Sequence, residues 1–593
     1  MVATSSRPWL SKYAPGVPAE IPSPTQPVYG GLEQAARLYR KRPAVEFMGR
    51  RTTYAELIDQ VSRAAEVLRA HGVGKGSIIA IALPNCPQHV VAFYAAMRLG
   101  AIVAEHNPTY GAVQFAHQLK DCGATHLIAW DKALESVAGA MRAEPTVAAK
   151  MEVAFSVDLT AALPASKRFA LRLPLPRARA LREDMTVVGA NPALPGVRVT
   201  SWEKAVKRAR RLDPWVPGAS IDDIALLQYT GGTTGVPKGA ILSHRNLVAN
   251  ATQSVCWVAG LRPGDETFYA VLPFFHAFGM NLCLVAPQLV GATIVVFPKF
   301  SVDMVLAAHK HTPATLFPGV PPMFDRLERA ASERGASLQG IRHAICGAMA
   351  VTPAVAERWE AATGGLLVGG YGLTEASPIV GGNPTTELRR PDCIGLPFPS
   401  TEARIVDPAD PSRDLPEGEA GELLVRGPQV FSGYWNDPVE TAAVLTPDGW
   451  LRTGDLVVME PDGFLRLVDR IKEIIVTGGF NVYPSQIEKE LALMPEILDV
   501  AVVGMPSGDL GERVVAAVVL APGAKLELEQ VVEWGRQRLA RYAVPRELFV
   551  VQDLPRSQIG KALRRIVRTQ ILEGSTVQAA PAKSPGLPLA SAP

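Results

Sequence analysis

Residues 229–240, YTGGTTGVPKGA, put four glycines, three threonines and one lysine into a dozen positions. Glycines let a backbone approach phosphate oxygens closely and present its N–H groups to them. Thr230, Thr233 and Thr234 add hydroxyl donors, and Lys238 adds a cation. A Gly-Thr-rich stretch can be a plain turn, but lysine and three hydroxyls together point to phosphate. The loop is not of the Walker type, because Lys238 is followed by Gly239 and Ala240 where GK[ST] is required. Its flanks differ as well. Residues 224–229 (IALLQY) read as a strand before it, residues 240–242 as a short strand after it, and a helix is expected only from about Ser243. A Walker loop opens directly into a helix whose N-terminus holds the phosphate.

The chain that carries this loop has 593 residues, enough for at least two domains. Hydrophobic residues make up 48% and charged residues 20%, a balance that supports a large buried core. A formal net charge of +3 gives no electrostatic footprint for nucleic acid, and none is expected as a partner. The six cysteines stand far apart without CxxC or His-rich clusters, so they read as reduced core thiols of a cytoplasmic protein. The first residues contain no apolar run, so no secretory signal is expected. The most apolar long stretch, residues 281–297, contains Pro287, Gln288 and Gly291; it is expected to be a buried helix followed by a strand.

Apolar strands alternate with helical patterns, which predicts α/β architecture. Residues 77–83 (SIIAIAL) read as a buried strand, residues 88–99 as a helix ended by Gly100, and residues 101–104 as the next strand. The unit repeats to about residue 380. From Ile394 the pattern turns to short strands with turns. Residues 163–214 are rich in Arg, Lys and Pro and read as a basic, partly helical insertion. It is either a solvated excursion or a contact with anionic lipid, and the prolines favour the former. The low-complexity residues 573–593 are expected to be disordered.

Other motifs follow in order: LPFFHAFG at 272–279, CGAMAV at 346–351, GGYGLTEASP at 369–378, WLRTGDL at 450–456, DRIKEIIVTGGFNVYPSQIE at 469–488 and PRSQIGKALRR at 555–565. Each alone has a bland reading: a packed core histidine, a helix start capped by Thr374, a surface charge cluster, one lysine among 60 Lys and Arg. Taken with the glycine loop, the series resembles the superfamily of acyl- and aryl-CoA synthetases, adenylation domains and luciferases. The resemblance runs from about residue 25 to 570 and is strongest to bacterial long-chain fatty acid–CoA ligases.

The resemblance implies an α/β fold with a large, multi-subdomain N-terminal adenylate-forming domain, residues 1–471. A smaller, mobile α+β C-terminal domain, 472–572, carries the catalytic lysine. It implies that Thr230, Gly231, Gly232, Thr233, Thr234 and Lys238 hold ATP phosphates. Gly347 and Ala348 would lie beside adenine, Tyr371 would stack on it next to Gly372, and Thr374 would contact phosphate. Glu375, with Thr230, would hold Mg²⁺, a hard cation that shares its oxygen ligands with phosphate. Asp455 would bind the ribose hydroxyls and Arg470 the ribose or phosphate. His276 would lie near the carboxylate and α-phosphate, Lys472 would be the hinge, and Gly478, Gly479 and Phe480 would approach the pantetheine arm of CoA. Lys561 would be the catalytic lysine of adenylation.

The reaction so implied joins a fatty acid to CoA through an acyl-adenylate, with ATP and CoA as co-substrates and Mg²⁺ as cofactor. Alternatives are a fatty acyl-AMP ligase, a CoA ligase for another carboxylic acid, or a non-catalytic nucleotide- or lipid-binding protein on the same fold. GGFNVYP favours CoA, and a mere binder has no need of Lys561. Acyl chain length, pathway and oligomeric state stay open, a homodimer among the options. So does peripheral contact at the inner face of the membrane.

Overall fold

The computed structural model describes residues 7–187, 193–230, 236–349, 351–507, 511–557, 560–574 and 578–579. Alternating β and α segments build two sheets in the first of two compact units, which comprises residues 1–404, 424–453 and 461–465. The second unit comprises residues 405–423, 454–460 and 466–593, so residue 472 falls inside it.

In unit 1, a seven-stranded sheet runs Arg198–Ser201, Val153–Val157, His126–Trp130, Ile78–Ala82, Ile102–Glu105, Ile224–Thr230, Lys238–Ser243. All neighbours are parallel except the last pair. Ile78–Ala82 at its centre is a continuous apolar run, as expected of a parallel strand covered on both faces. Pro87–Leu99 forms a helix, with its proline in the first turn and Gly100 closing it at φ 68°. That left-handed conformation is one glycine adopts without strain. A nine-stranded sheet runs Leu396–Pro397, Ile379–Gly382, Leu366–Gly372, His343–Cys346, Leu316–Gly319, Thr267–Ala270, Thr293–Val296, Pro43–Phe47, Arg50–Thr53. Its six central strands are parallel and its edges antiparallel. The apolar stretch 281–297 supplies buried helical turns and then the strand Thr293–Val296. Among the described residues no helix is long and apolar enough to cross a membrane.

In unit 2, Ile497–Pro506 and Glu512–Leu520 pair antiparallel, and Glu547–Val550 joins the second strand in parallel. Alternation puts Val500, Val502, Val514, Ala516 and Val518 on one face, against Ile487, Leu491 and Val531. Ala501, Val503, Val515 and Ala517 lie on the other, against Leu554 and Val567. Both faces are therefore covered.

Two expectations are changed. The segment 163–214 is not a mere excursion: Arg198–Ser201 completes the edge of the seven-stranded sheet, and Trp202 behind it is buried. The composition of residues 163–214 hid a four-residue strand that finds its partners through backbone hydrogen bonds. Of the tail expected to be disordered, Gln578–Ala579 pairs with Phe549 and Val550, an edge that offers unpaired backbone groups. Residues 575–577 and 580–593 lie outside the described residues.

His244–Trp257 begins where expected. Ser243 Oγ accepts from the Asn246 N–H at 3.1 Å, and Asn246 Oδ1 accepts from the Ser243 N–H at 2.9 Å. Losing such a cap costs about 1 kcal/mol. Ser243→Ala should therefore speed amide exchange in residues 245–247 roughly five-fold relative to the wild type, with Ser243→Thr restoring it.

Candidate functional site

The glycine loop joins two antiparallel strands, and its closing register pair is Thr230 opposite Lys238. Both therefore stand at the loop's base, while Gly231, Gly232, Thr233 and Thr234 lie outside the described residues. Lys238 Nζ is 2.5 Å from Glu440 Oε2 and lies over the Tyr434 ring, 5.5 Å from its centroid. Segment 431–435 runs beside the second strand: the Ile241 N–H donates to the Gly433 carbonyl at 2.9 Å and the Trp435 N–H to the Gly239 carbonyl at 2.7 Å. A Cβ at 239 would lie 3.4–3.6 Å from Trp435 and Tyr229, ordinary van der Waals contact, so the two segments pack closely here without requiring glycine. The Tyr434 hydroxyl then donates to Glu375 Oε1 at 2.6 Å. Burial, with Glu375 beside it, pushes the phenol's pKa well above its ordinary value, so it remains a donor.

Thr374 and Glu375 lie on the turn Thr374–Ala376, after the strand Leu366–Gly372 that carries Tyr371 and Gly372. A side chain at 372 would meet the Pro378 carbonyl oxygen at 2.1 Å, which requires glycine there. Gly347 and Ala348 follow the neighbouring strand His343–Cys346, and Ala348 is held at φ 67°. His276 follows Thr267–Ala270 in the same sheet. A Cβ on Gly347 would fall 2.7 Å from the Phe278 ring, so these two loops pack directly. The Phe278 N–H donates to His276 Nδ1 at 3.3 Å, which leaves the proton of a neutral ring on Nε2. Burial lowers the His276 pKa to about 4, so the ring is neutral at ordinary pH. Gln228 ties the two sheets together, donating through Nε2 to the Phe275 carbonyl at 2.7 Å. These residues cluster outside the carboxyl ends of parallel strands, where open α/β sheets bind ligands.

No group of three or more His, Cys, Asp or Glu among the described residues could hold a metal alone. The donor chemistry fits an ion shared with phosphate: Glu375 offers carboxylate oxygens, one of them fixed by Tyr434, and Mg²⁺ commonly uses one or two protein carboxylates.

Unit 2 holds the second group. Asp455, on the strand Leu451–Met459, is 5% exposed, and Arg470 Nε lies 3.3 Å from its Oδ1. Lys561 sits on a tight loop: the Ser557 N–H donates to the Lys561 carbonyl, and the Lys561 N–H to Ser557 Oγ at 3.1 Å. Burial lowers the pKa of Lys561 to about 8. Arg470 and Arg564 push the same way, and Glu473 and Asp455 oppose them. Lys472 is exposed, on the turn Ile471–Glu473. Gly478 and Gly479, at φ 56° and 83°, are the two-residue turn of the hairpin Ile475–Thr477/Phe480–Val482. Left-handed φ at both positions gives the turn twist that suits a hairpin. Phe480 stacks on Tyr542 with centroids 4.6 Å apart.

Sequence reasoning missed Tyr434, Glu440 and Arg564. Asp437 caps Pro438–Val444 and so sets Glu440 in its first turn, a local signal that says nothing about Lys238. Arg564 pairs with Glu488 and Glu473 and donates to Ser485 Oγ at 2.8 Å, fixing the helix that follows the Lys561 loop.

The AMP-binding enzyme model matches residues 32–435 and the AMP-binding enzyme C-terminal domain matches residues 486–561. The chain belongs to the AMP-binding enzyme family. It is 34% identical to the long-chain-fatty-acid–CoA ligase of Bacillus subtilis, over 95% of this chain and 97% of that protein. It is 36% identical to the protein of the same name in Salmonella typhimurium, over 95% and 98%. The ATP-bound MatB structure from Rhodopseudomonas palustris matches with a TM-score of 0.75 and 26% identity, covering 93% of this chain and all of that one. The o-succinylbenzoate CoA synthetase of B. subtilis with ATP and magnesium matches with a TM-score of 0.73 and 26% identity, over 91% and 99%.

A lysine of this pKa is half deprotonated near pH 8, where ordinary lysines remain charged. Reaction of Lys561 with an amine-acylating reagent, followed by peptide mass spectrometry, should rise through pH 8. Arg470→Gln should move that midpoint upward and Glu473→Gln downward.

Proposed function

We infer that this chain is a long-chain fatty acid–CoA ligase. It is an AMP-forming acid–thiol ligase that uses ATP and CoA with Mg²⁺. In the first step a carboxylate oxygen attacks the α-phosphorus of ATP, a P–O bond forms, and pyrophosphate leaves. In the second the CoA thiolate attacks the acyl carbon, the thioester C–S bond forms, and AMP leaves with the electron pair of the broken C–O bond. A free carboxylate is a poor acyl donor because it would have to expel oxide, and the adenylate replaces oxide with AMP. The observation that carries the reading is the assembly of Thr230, Lys238, Tyr434 and Glu375 around the base of the glycine loop.

In this reading Lys238 and the loop bind the phosphates, and Glu375 with Thr230 holds Mg²⁺, which offsets phosphate charge when bound. Gly347, Ala348, Tyr371 and Gly372 frame adenine, and Thr374 contacts phosphate. His276 donates from Nε2 to the reacting carboxylate or α-phosphate. Asp455 and Arg470 take the ribose, Gly478–Phe480 receives the pantetheine arm, and Lys472 is the hinge. Lys561 supplies a cation where negative charge concentrates in adenylation, a form of electrostatic stabilisation. No enzyme-bound covalent intermediate is required. The protein works in the cytoplasm with peripheral contact at the membrane's inner face, where its apolar substrate partitions.

A second reading takes an aromatic acid as substrate. It is favoured by 32% identity to the feruloyl-CoA synthase of Amycolatopsis over 90% of this chain. A panel of saturated acids of increasing length and of cinnamic acids, scored by AMP release with and without CoA, separates the two. Turnover should be greatest with long saturated acids and depend on CoA; preference for the aromatic acids would replace the first reading.

Lys561→Ala should separate the half-reactions. Pyrophosphate release from ATP and fatty acid should fall ~10²–10³-fold, the scale of losing one preorganised electrostatic contact. Thioester formation from supplied acyl-AMP should be nearly unchanged. Equal loss in both assays would remove the assignment of Lys561 to adenylation.

A further inference from the structure

Residues 163–185 contain six basic residues, Lys167, Arg168, Arg172, Arg177, Arg179 and Arg182, and no acid before Glu183. Two short helices, Ala165–Ala170 and Pro176–Met185, carry most of them. The segment is fastened on one side. Leu171 and Met185 are buried, and the Trp130 indole N–H donates to the Met185 carbonyl at 2.9 Å. Lys132 Nζ donates to the Glu183 carbonyl at 2.8 Å, and Lys167 Nζ to the Met48 carbonyl at 2.9 Å. The other side presents apolar chains to solvent: Phe169 is 67%, Leu173 40%, Leu175 56% and Leu181 44% exposed. Leu171 and Met185 turn inward within the same segment, so the outward set belongs to an anchored stretch and not to a loose loop.

The charges are arranged to match. Both acids are already engaged, Glu183 with Arg179 at 2.8 Å and Asp184 with Lys299 at 2.8 Å. Arg168 and Arg172, the residues flanking Phe169 and Leu173, have no carboxylate in salt-bridge reach among the described residues. An exposed apolar cluster alone has no evident partner, and a basic cluster alone is normally a solvated face. Cations interleaved with outward Phe and Leu fit a surface that is anionic outside and apolar just beneath. That is the description of a bilayer containing acidic lipid.

We propose that residues 168–181 dock this protein on acidic membrane, with Arg168, Arg172 and Arg179 at the headgroups and Phe169, Leu173, Leu175 and Leu181 inserted among the upper acyl carbons. This rests on the fatty-acid reading only for its purpose, delivery of an amphiphilic substrate; the binding itself is independent of it. The segment's prolines break any long amphipathic helix, so two short helices and the turn between them present the surface.

The test uses the full chain and flotation with vesicles, in the absence of ATP and fatty acid, so that failure of the ligase reading does not affect it. One set of vesicles contains phosphatidylglycerol and phosphatidylcholine, the other phosphatidylcholine alone. The wild type should float with the acidic vesicles and release as salt is raised. Arg168→Gln/Arg172→Gln/Arg179→Gln should weaken binding ~100-fold, about five-fold for each charge. Phe169→Ser/Leu173→Ser/Leu175→Ser should abolish the fraction that survives high salt. These positions are exposed and outside the proposed catalytic groups, so both variants should convert a short, water-soluble acid at the wild-type rate. Three results overturn the proposal: no flotation of the wild type on acidic vesicles, variants that float as the wild type does, or retention by single-stranded RNA that tracks the charges while the serine variant still floats undiminished.

Discussion

The register that sets Thr230 opposite Lys238 fixes the site in unit 1. A two-stranded ladder holds its partners to a fraction of an ångström, so a hydroxyl and an ammonium at the base of a glycine loop become preorganised donors. Everything else is hung from that ladder. Segment 431–435 bonds along its outer strand and delivers Tyr434 to Glu375, while Gln228, two residues before Thr230, bonds to the loop that holds His276. One slip in register would reverse which face each side chain occupies and scatter all four groups.

The two lysines at the centre of the proposed chemistry are held in opposite electrostatic conditions. Lys238 has a carboxylate at 2.5 Å and a ring face beneath it, so its charge is balanced in place. Lys561 is half-buried beside Arg470 and Arg564, and its charge is disfavoured there. An ammonium held near pKa 8 gains more from meeting phosphate than one already paired. Burial removes the solvent that would otherwise screen the encounter.

Much of this was legible in the sequence because it is local. Apolar runs bounded by glycine and proline marked the strands at 78–82 and 224–230, and Gly100 marked a helix end. The glycine loop read as strand–loop–strand because residues 240–242 look like a short strand and the helix pattern begins only near Ser243. The site's supporting residues were not legible for the opposite reason. Glu440 lies 202 residues from Lys238, and Tyr434 lies 59 from Glu375. Nothing near either residue announces its partner. The strand Arg198–Ser201 was missed because an edge strand of four residues, surrounded by Arg and Pro, has too little periodicity to show.

Arg564 shows how much positioning a distant residue can do. Its guanidinium pairs with Glu488 at 2.6 Å and with Glu473, lies 3.6 Å from Asp469, and donates to Ser485 at 2.8 Å. Burial tends to lower its pKa, but hydrogen bonding and attraction to these carboxylates win, and its charge is held more firmly than in water. Three residues earlier stands Lys561, whose flexible stem would otherwise sample many directions. Glu473 both binds Arg564 and raises the pKa of Lys561, so one carboxylate anchors the loop and supports the lysine's charge. The network therefore acts on the lysine's protonation from both sides, Glu473 supporting its charge and Arg564 opposing it, while it fixes the loop's geometry.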